Sequence, residues 1–521
     1  MNNKEQKSAF SRTQNVSRNV IWAVINQLIT IMLSLISRKI FLNILGAEFL
    51  GVNSLFADVM SLFSFADLGF GTAIVFSLYK PIADGNQERI KSLLKNYRTI
   101  YRYVIGVLVV IGIAFVPFLP HLNTTIPLNQ LRLYYFLYQT SCIIGYVCAY
   151  RETYVSACQQ QRTITKFGIL FSVIQILSQI AVVELTANYA AYVVTALVMA
   201  VIRKITVNLY IVKKFPETRV RDANALSKED KIDIFKSAKA VLIHRLGNLA
   251  INQTDSLIVS TFINMTEWGL MSNYLVLKTA VSRLLDNIYS AVLPSMGNLV
   301  AKENEEKQIR IFNTYDYLNF WLYLFCYIAL GTLSSRFISI YFGEQYVLNE
   351  VTVFIFFTAF YIDGLRTPVS SMREANGSFR TDQWYTILAA IVNLVVSIAL
   401  VQKIGLNGVY IGTCCAMIVL HITRSIMLFR NWKDYNVLKY LARLFKYIIS
   451  GIIIYHLTLY IQKVVCWSIE NTVVKFVVCG TLALIVPNVI VIIFFRKNQS
   501  FNEAITLVKG KIRRRTREFG E

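Results

Sequence analysis

Residues 189–239 read YAAYVVTALVMAVIRKITVNLYIVKKFPETRVRDANALSKEDKIDIFKSAK, and the fold turns on how that stretch divides. Residues 189–212 form an apolar run of roughly the 20 residues a helix needs to cross a hydrocarbon core. From Arg203 to Lys239 the chain holds its densest internal charge, with Lys213, Lys214, Arg219, Arg221 and Lys228 interleaved with Glu217, Asp222, Glu229 and Asp230. A second apolar run, 240–263, follows at once. Span, basic linker, span is the grammar of a chain that crosses a membrane repeatedly. The linker reads as a solvated, headgroup-facing segment rather than a nucleic-acid-binding one.

Working outward, fourteen candidate spans are expected: about 20–42, 50–79, 101–121, 131–150, 167–187, 189–212, 240–263, 269–298, 317–342, 351–372, 384–402, 408–430, 445–462 and 472–495. The composition agrees. Apolar residues make up 55% of the 521, charged residues only 16%, and mean hydropathy is +0.49. Soluble domains carry about a quarter charged residues, and this apolar excess would leave them with exposed patches. The formal charge of +23 sits between apolar runs, not on a polar surface as nucleic-acid binding requires.

With the N-terminus inside, the inside segments hold 38 Lys/Arg and the outside loops only two, Lys403 and Lys463. That asymmetry orients the chain with both termini cytoplasmic. The expected fold is an all-α polytopic membrane protein with about 14 transmembrane helices. Its expected parts are a tail (1–18), an N-terminal lobe of spans 1–6 (19–212), a linker (213–239), a C-terminal lobe of spans 7–12 (240–430), spans 13–14 (431–495) and a basic tail (496–521). Met1 to Arg18 is polar, so no removable signal peptide is expected.

Ser237 to Phe262 repeats the plan of Ser17 to Phe41. Each apolar helix ends in a short turn, Phe41-Leu42-Asn43 or Phe262-Ile263-Asn264, before Gly51 or Gly269 opens another long helix. Internal symmetry of this kind marks secondary transporters, and predicts two pseudo-symmetric six-helix lobes plus two C-terminal helices.

Polar residues inside the spans supply the candidate site, because ionisable groups at mid-membrane usually face a cavity or a partner. Arg245, Asn248, Asn252 and Asp255 fall on one face of span 7 at about 100° per residue. Span 10 repeats this with Asp363, Arg366, Ser370 and Arg373, beside Gly364 and Pro368. Span 8 groups Arg283, Asp286, Asn287 and Ser290, with Lys278 well round the helix; span 1 offers Asn26, Thr30 and Ser34. On span 2, Asp58 and Asp67 point to opposite sides, and Asp67 is the expected site residue. Interhelical hydrogen bonds and internal salt pairs, such as Arg283 with Asp286, are the competing account for any single residue. For the stripes together a water-filled cavity is simpler, and its basic groups suit an anionic substrate, since Arg forks onto phosphate oxygens. Tyr134, Tyr138, Tyr146 and Tyr150 on span 4 read as lobe packing or an aromatic belt before sugar stacking.

No Walker A loop, His-Glu-x-x-His, Gly-x-Ser-x-Gly or Gly-x-Gly-x-x-Gly occurs. No cofactor or metal is expected, and ATP is not the direct energy source on this chain. The eight cysteines lack ligand or disulfide spacing and read as small buried hydrophobes.

Leu45-Gly46-Ala47-Glu48-Phe49-Leu50-Gly51-Val52-Asn53-Ser54-Leu55-Phe56, then Phe65-Ala66-Asp67-Leu68-Gly69-Phe70-Gly71-Thr72-Ala73-Ile74, resembles the opening of bacterial oligosaccharide-lipid flippases. So does Arg373-Glu374-Ala375-Asn376-Gly377-Ser378-Phe379-Arg380-Thr381-Asp382. These belong to the multidrug/oligosaccharidyl-lipid/polysaccharide exporter superfamily. The resemblance is strongest in spans 1–2 and 10. It implies movement of an undecaprenyl-pyrophosphate-linked sugar unit across the bacterial cell membrane for capsule or other surface polysaccharide, by alternating access. It also implies lipid partners and, in the same pathway, a polymerase and glycosyltransferases. A multidrug or peptidoglycan-precursor exporter of the superfamily is the alternative; a cationic-drug exporter would carry acidic groups where Arg245, Lys278, Arg283, Arg366 and Arg373 stand. A membrane-embedded polymerase or transferase would need a large outside loop, and every outside loop is short.

The orientation is directly testable. In a background stripped of native cysteines, Ser227→Cys and Ser500→Cys should resist an impermeant thiol reagent in intact cells and react after lysis; labelling of either in intact cells contradicts the fourteen-span orientation.

Overall fold

The computed structural model describes residues 3–63, 70–158, 160–220, 254–377, 379–430, 432–433, 435–496, 501 and 503, with backbone only for 3–30, 70–73, 161–163, 379–381 and 495. Among the described residues no strand occurs, and the fourteen apolar stretches are mainly helical where they are described, with internal breaks at 147–148 and at Arg366. Among the described residues nine helices are long and apolar enough to cross a membrane on length and composition alone. The expected all-α polytopic fold is therefore observed. The stretch carrying Asp363 and Arg366 is split into helices of 16 and 9 residues, each short of a full crossing.

The chain divides into two compact units, Met1–Leu242 and Ile243–Glu521. The first contains α1 (Asn3–Phe63), α2 (Phe70–Ala83), α3 (Gln87–Phe115), α4 (Leu128–Tyr146), α5 (Ala149–Ala157), α6 (Gln161–Thr186) and α7 (Tyr189–Lys214). Helix α1 is really two helices, broken where Gly46 adopts φ 86° and ψ 175°. Only glycine reaches that backbone region cheaply. Beyond the break, the Glu48 carboxylate accepts bonds from Thr124 Oγ1 (2.7 Å), Thr125 N–H (2.6 Å) and Thr125 Oγ1 (2.7 Å). The Gly46-Ala47-Glu48 motif thus ties the bend of α1 to the loop between α3 and α4.

The tyrosines of α4 turn into this unit. Tyr134 meets Tyr189 edge-on at 4.7 Å, and Tyr138 hydrogen-bonds to Asn53. Tyr150, just beyond in α5, sits in a core with Tyr97, Tyr101 and Tyr154. They pack the lobe, as the first of the two sequence readings had it.

The second unit contains α8 (helical over the described residues 254–262), α9 (Met265–Lys302), α10 (Glu305–Tyr341), α11 (Glu350–Leu365), α12 (Thr367–Ala375), α13 (Phe379–Ile404), α14 (Leu406–Phe429), α15 (Val437–Val465) and α16 (Thr472–Phe495). Helices α13 and α14 form a tight hairpin: a Cβ at Gly408 would come within 2.5 Å of the Leu400 backbone. Helices α15 and α16 pack against α10. The two stretches that read alike in sequence break differently. Helix α1 runs through Asn43 to its break at Gly46, whereas Asn264 caps α9 through Glu267 N–H at 2.7 Å.

Asparagine begins seven of these helices: Asn86, Asn188, Asn264, Asn304, Asn349, Asn436 and Asn471 each accept a bond from a first-turn N–H. Each such cap contributes roughly 1 kcal/mol relative to alanine.

Cys466 closes α15 and Cys479 lies in α16, and their sulfurs approach to 3.2 Å while both residues are fully buried. Their separation of thirteen positions gave no spacing signal. Diamide treatment of the purified protein should remove two thiols and join the peptides containing Cys466 and Cys479. Mass mapping that finds other cysteines joined first would contradict this packing.

Candidate functional site

The site is built on an interrupted helix. Pro368 has no N–H to offer the Gly364 carbonyl four residues back, so α11 cannot run on. Helix α11 ends at Leu365, and α12 begins at Thr367 with Pro368 in its first turn. The Asn319 side chain of α10 supplies the missing donor, reaching the Gly364 oxygen at 3.0 Å. Tyr289 of α9 fixes that amide, its hydroxyl donating to Asn319 Oδ1 at 2.7 Å. A Cβ at Gly364 would lie 2.0 Å from the Tyr323 ring, so glycine is what lets α10 come this close.

At the break Arg366 binds Asp363 at 2.5 Å and Ser370 Oγ at 3.1 Å. The pair is not sealed: the Arg366 and Asp363 side chains are 19% and 42% exposed. Lys278 of α9 stands 5.3 Å from the centroid of the Phe356 ring, one to two turns along α11, and acts electrostatically on Asp363. Asp286 lies two turns farther along α9. Arg283 and Asp286 are both exposed on α9, together with Leu284 and Ile288. No Arg283–Asp286 salt bridge occurs among the described residues, so the expected internal pair is not formed.

Arg373 goes elsewhere. Read on a straight helix it shares a face with Asp363 and Arg366, but it lies a full helix beyond the break. It is 2% exposed, pairs with Asp382, and holds Glu374 at 2.8 Å. The same Asp382 carboxylate is gripped by Arg424 of α14 through Nε (2.5 Å) and Nη2 (2.8 Å), and Arg424 also donates to Thr386 at 3.1 Å. One fully buried carboxylate thus joins α12, α13 and α14. Arg424 was legible as a lone arginine inside an apolar span, and Asp382 as the last residue of the second motif; nothing in sequence said they meet. Asp255 is likewise buried, receiving Thr413 Oγ1 from α14 at 3.3 Å. A third polar link, also silent in sequence, sets Arg443 3.3 Å from Asp316 and in hydrogen bonds to Asn313 (2.9 Å) and Tyr435 (2.8 Å).

Of the remaining candidates, Arg245, Asn248, Asn252 and Asp67, and the side chain of Asn26, lie outside the described residues. Of the candidates, the structure joins Asp363 and Arg366 in a partly exposed pair, sets Lys278 of α9 against Phe356 of α11, and leaves Arg283 and Asp286 exposed on α9. Among the described residues no group of three His, Cys, Asp or Glu side chains converges as metal ligands would. Chemically, the break offers one partly exposed cation, Arg366, held by a partly exposed carboxylate.

A multi-pass helical bundle, here with a polar pair at an interrupted span, is an architecture this chain shares with solved membrane proteins. Residues 16–300 match the family model described as "Polysaccharide biosynthesis protein", over half of the chain, and the protein belongs to that family. No curated protein matches in sequence. Among solved structures the chain is similar to a lipid II flippase, MurJ, in an inward closed conformation, at TM-score 0.64 and 12% identity over 91% of this chain and 99% of that one. It is similar to a multidrug resistance MATE family transporter of the MOP superfamily in an inward-facing conformation, at TM-score 0.60 and 15% identity over 81% and 99%. The Vibrio cholerae MATE transporter VcmN follows at TM-score 0.51 and 10% identity over 82% and 99%. At these identities the likeness is one of fold.

The Asp382 knot and the Asp363 pair should respond differently to the same chemistry. Asp382→Asn leaves two buried guanidinium groups short of charge and should cost about 3 kcal/mol of stability. Asp363→Asn, half in solvent, should cost under about 1 kcal/mol. Thermal unfolding of the detergent-solubilised variants measures both.

Proposed function

We propose that this protein is a flippase that carries undecaprenyl-pyrophosphate-linked oligosaccharide units from the inner to the outer leaflet for surface polysaccharide synthesis. What carries this reading is membership of a polysaccharide biosynthesis family combined with a flippase-type fold. A pyrophosphate-linked lipid presents clustered negative charge at one depth in the membrane. Lys278, Arg283 and Arg366 supply cations near the interrupted span, against the carboxylates Asp286 and Asp363. In this scheme phosphate oxygens displace Asp363 from Arg366, because a guanidinium forks onto phosphate as well as onto carboxylate. The half-exposed pair makes that exchange cheaper than opening the buried Asp382 knot. Arg373 therefore serves the fold, and Arg366 the substrate.

Alternating access moves the bound head group between leaflets, with both termini cytoplasmic. Glycosyltransferases build the lipid-linked unit on the inner face, and a polymerase consumes it on the outer face. A multidrug exporter, the rival within the superfamily, would present a surplus of acid to a cationic drug, and the accessible residues here run the other way.

The test is transport of a pyrophosphate-linked oligosaccharide lipid into the outer leaflet, in cells lacking the native gene. Lys278→Ala and Arg366→Ala should each lower transfer at least about tenfold, the worth of one charge-assisted contact, while membrane levels stay near normal. Lys278→Arg should retain most of it. Full complementation by both alanine variants would remove these residues from the substrate path.

A further inference from the structure

Away from the interrupted helix, the second unit holds a cavity of about 410 Å3 where α10, α11 and α15 meet. Gly331 lines it, and its missing side chain admits the Tyr455 ring; a Cβ there would fall 2.4 Å from that ring. Arg336 projects from α10, Glu350 from α11, and His456, Tyr460 and Lys463 from α15. All but His456 stand near helix ends: Tyr341 closes α10, Glu350 opens α11 and Val465 closes α15. That level is where the apolar spans stop and headgroups begin.

Arg336 is the decisive group. Its Nη1 donates to the Thr332 carbonyl at 3.1 Å and to Gln462 Oε1 at 3.0 Å. Gln462 is itself fully buried, and its amide nitrogen is committed to the Cys479 carbonyl at 2.9 Å. The guanidinium is therefore aimed by a fixed clamp, yet among the described residues no carboxylate pairs with it. Both of its protein acceptors are neutral. The one anion on the rim, Glu350, is engaged by Lys463 at 3.4 Å in a pair whose side chains are 61% and 79% exposed, too solvated to be worth much. The cavity thus carries an uncompensated, pre-aimed cation at the edge of hydrocarbon, where such a group ordinarily has a partner. Beside its mouth, Ile453, Leu457, Tyr460 and Val464 are exposed along one face of α15.

We propose that this cavity binds the phosphate of a membrane lipid, with Arg336 forked onto the phosphate oxygens and Lys463 released from Glu350 to join it. The chain of the lipid lies along the Ile453–Leu457–Val464 face, which is what a free phosphate would not use. Diacyl phospholipid and polyprenyl phosphate share this chemistry. The site is separate from Lys278 and Arg366, and its occupancy does not require that the protein transport anything.

Delipidated full-length protein in detergent, followed by native mass spectrometry, provides the test. The probes are phosphatidylglycerol, undecaprenyl phosphate, phosphatidylcholine and inorganic phosphate. Either anionic lipid should bind, and Arg336→Gln should weaken that binding at least about tenfold. Arg336→Lys should restore part of it, and Lys463→Gln should weaken it less. A preference for undecaprenyl phosphate would identify a polyprenyl occupant, and equal binding of the two a bilayer phospholipid; both support the site. Thermal unfolding of each variant without lipid checks that the fold persists. Unchanged lipid binding in a folded Arg336→Gln protein overturns the proposal. So does binding of phosphatidylcholine as tightly as the anionic lipids, or competition by inorganic phosphate at the lipids' own concentration.

Discussion

A single absent hydrogen bond organises the second unit. Pro368 cannot serve the Gly364 carbonyl, and an unsatisfied backbone group inside a membrane costs several kcal/mol. Asn319 meets that demand at 3.0 Å, Tyr289 positions Asn319, and Gly364 lets the Tyr323 ring close over the joint. Three helices are thereby fixed around a bend. The bend is what separates Asp363 and Arg366, which stay partly open, from Arg373, which disappears into the protein.

That separation marks where sequence reading stopped working. Apolar run length and the sidedness of Lys and Arg are local properties, so the spans could be read directly from the residues. Helical periodicity is local too, but it presumes an unbroken axis. Asp363, Arg366 and Arg373 form one stripe only on a straight helix, and Pro368 makes two helices of it. Contacts between spans far apart in sequence leave no periodic trace. Asp382 with Arg424 bridges 42 positions and Glu48 with Thr125 bridges 77. The cysteines show the same blindness at short range, since Cys466 and Cys479 meet across a turn between helices rather than along one.

The two motifs that carried the family resemblance have structural work in this chain. Glu48 anchors the bend that Gly46 permits, and the ends of the Arg373–Asp382 motif are bonded to each other. Motif residues of this kind hold the fold in which a site can exist. Lys278, Arg283 and Asp286, candidates for substrate on charge alone, fall outside both stretches.

The seven asparagine caps have an electrostatic side as well. Aspartate caps a helix about as well as asparagine, but each replacement would plant a full negative charge where a helix meets the lipid surface. Asparagine closes the exposed N–H groups while leaving the local field untouched. In α3, α9, α10 and α11 the first turn already carries glutamate, so there the neutral cap adds no further negative charge to the helix start.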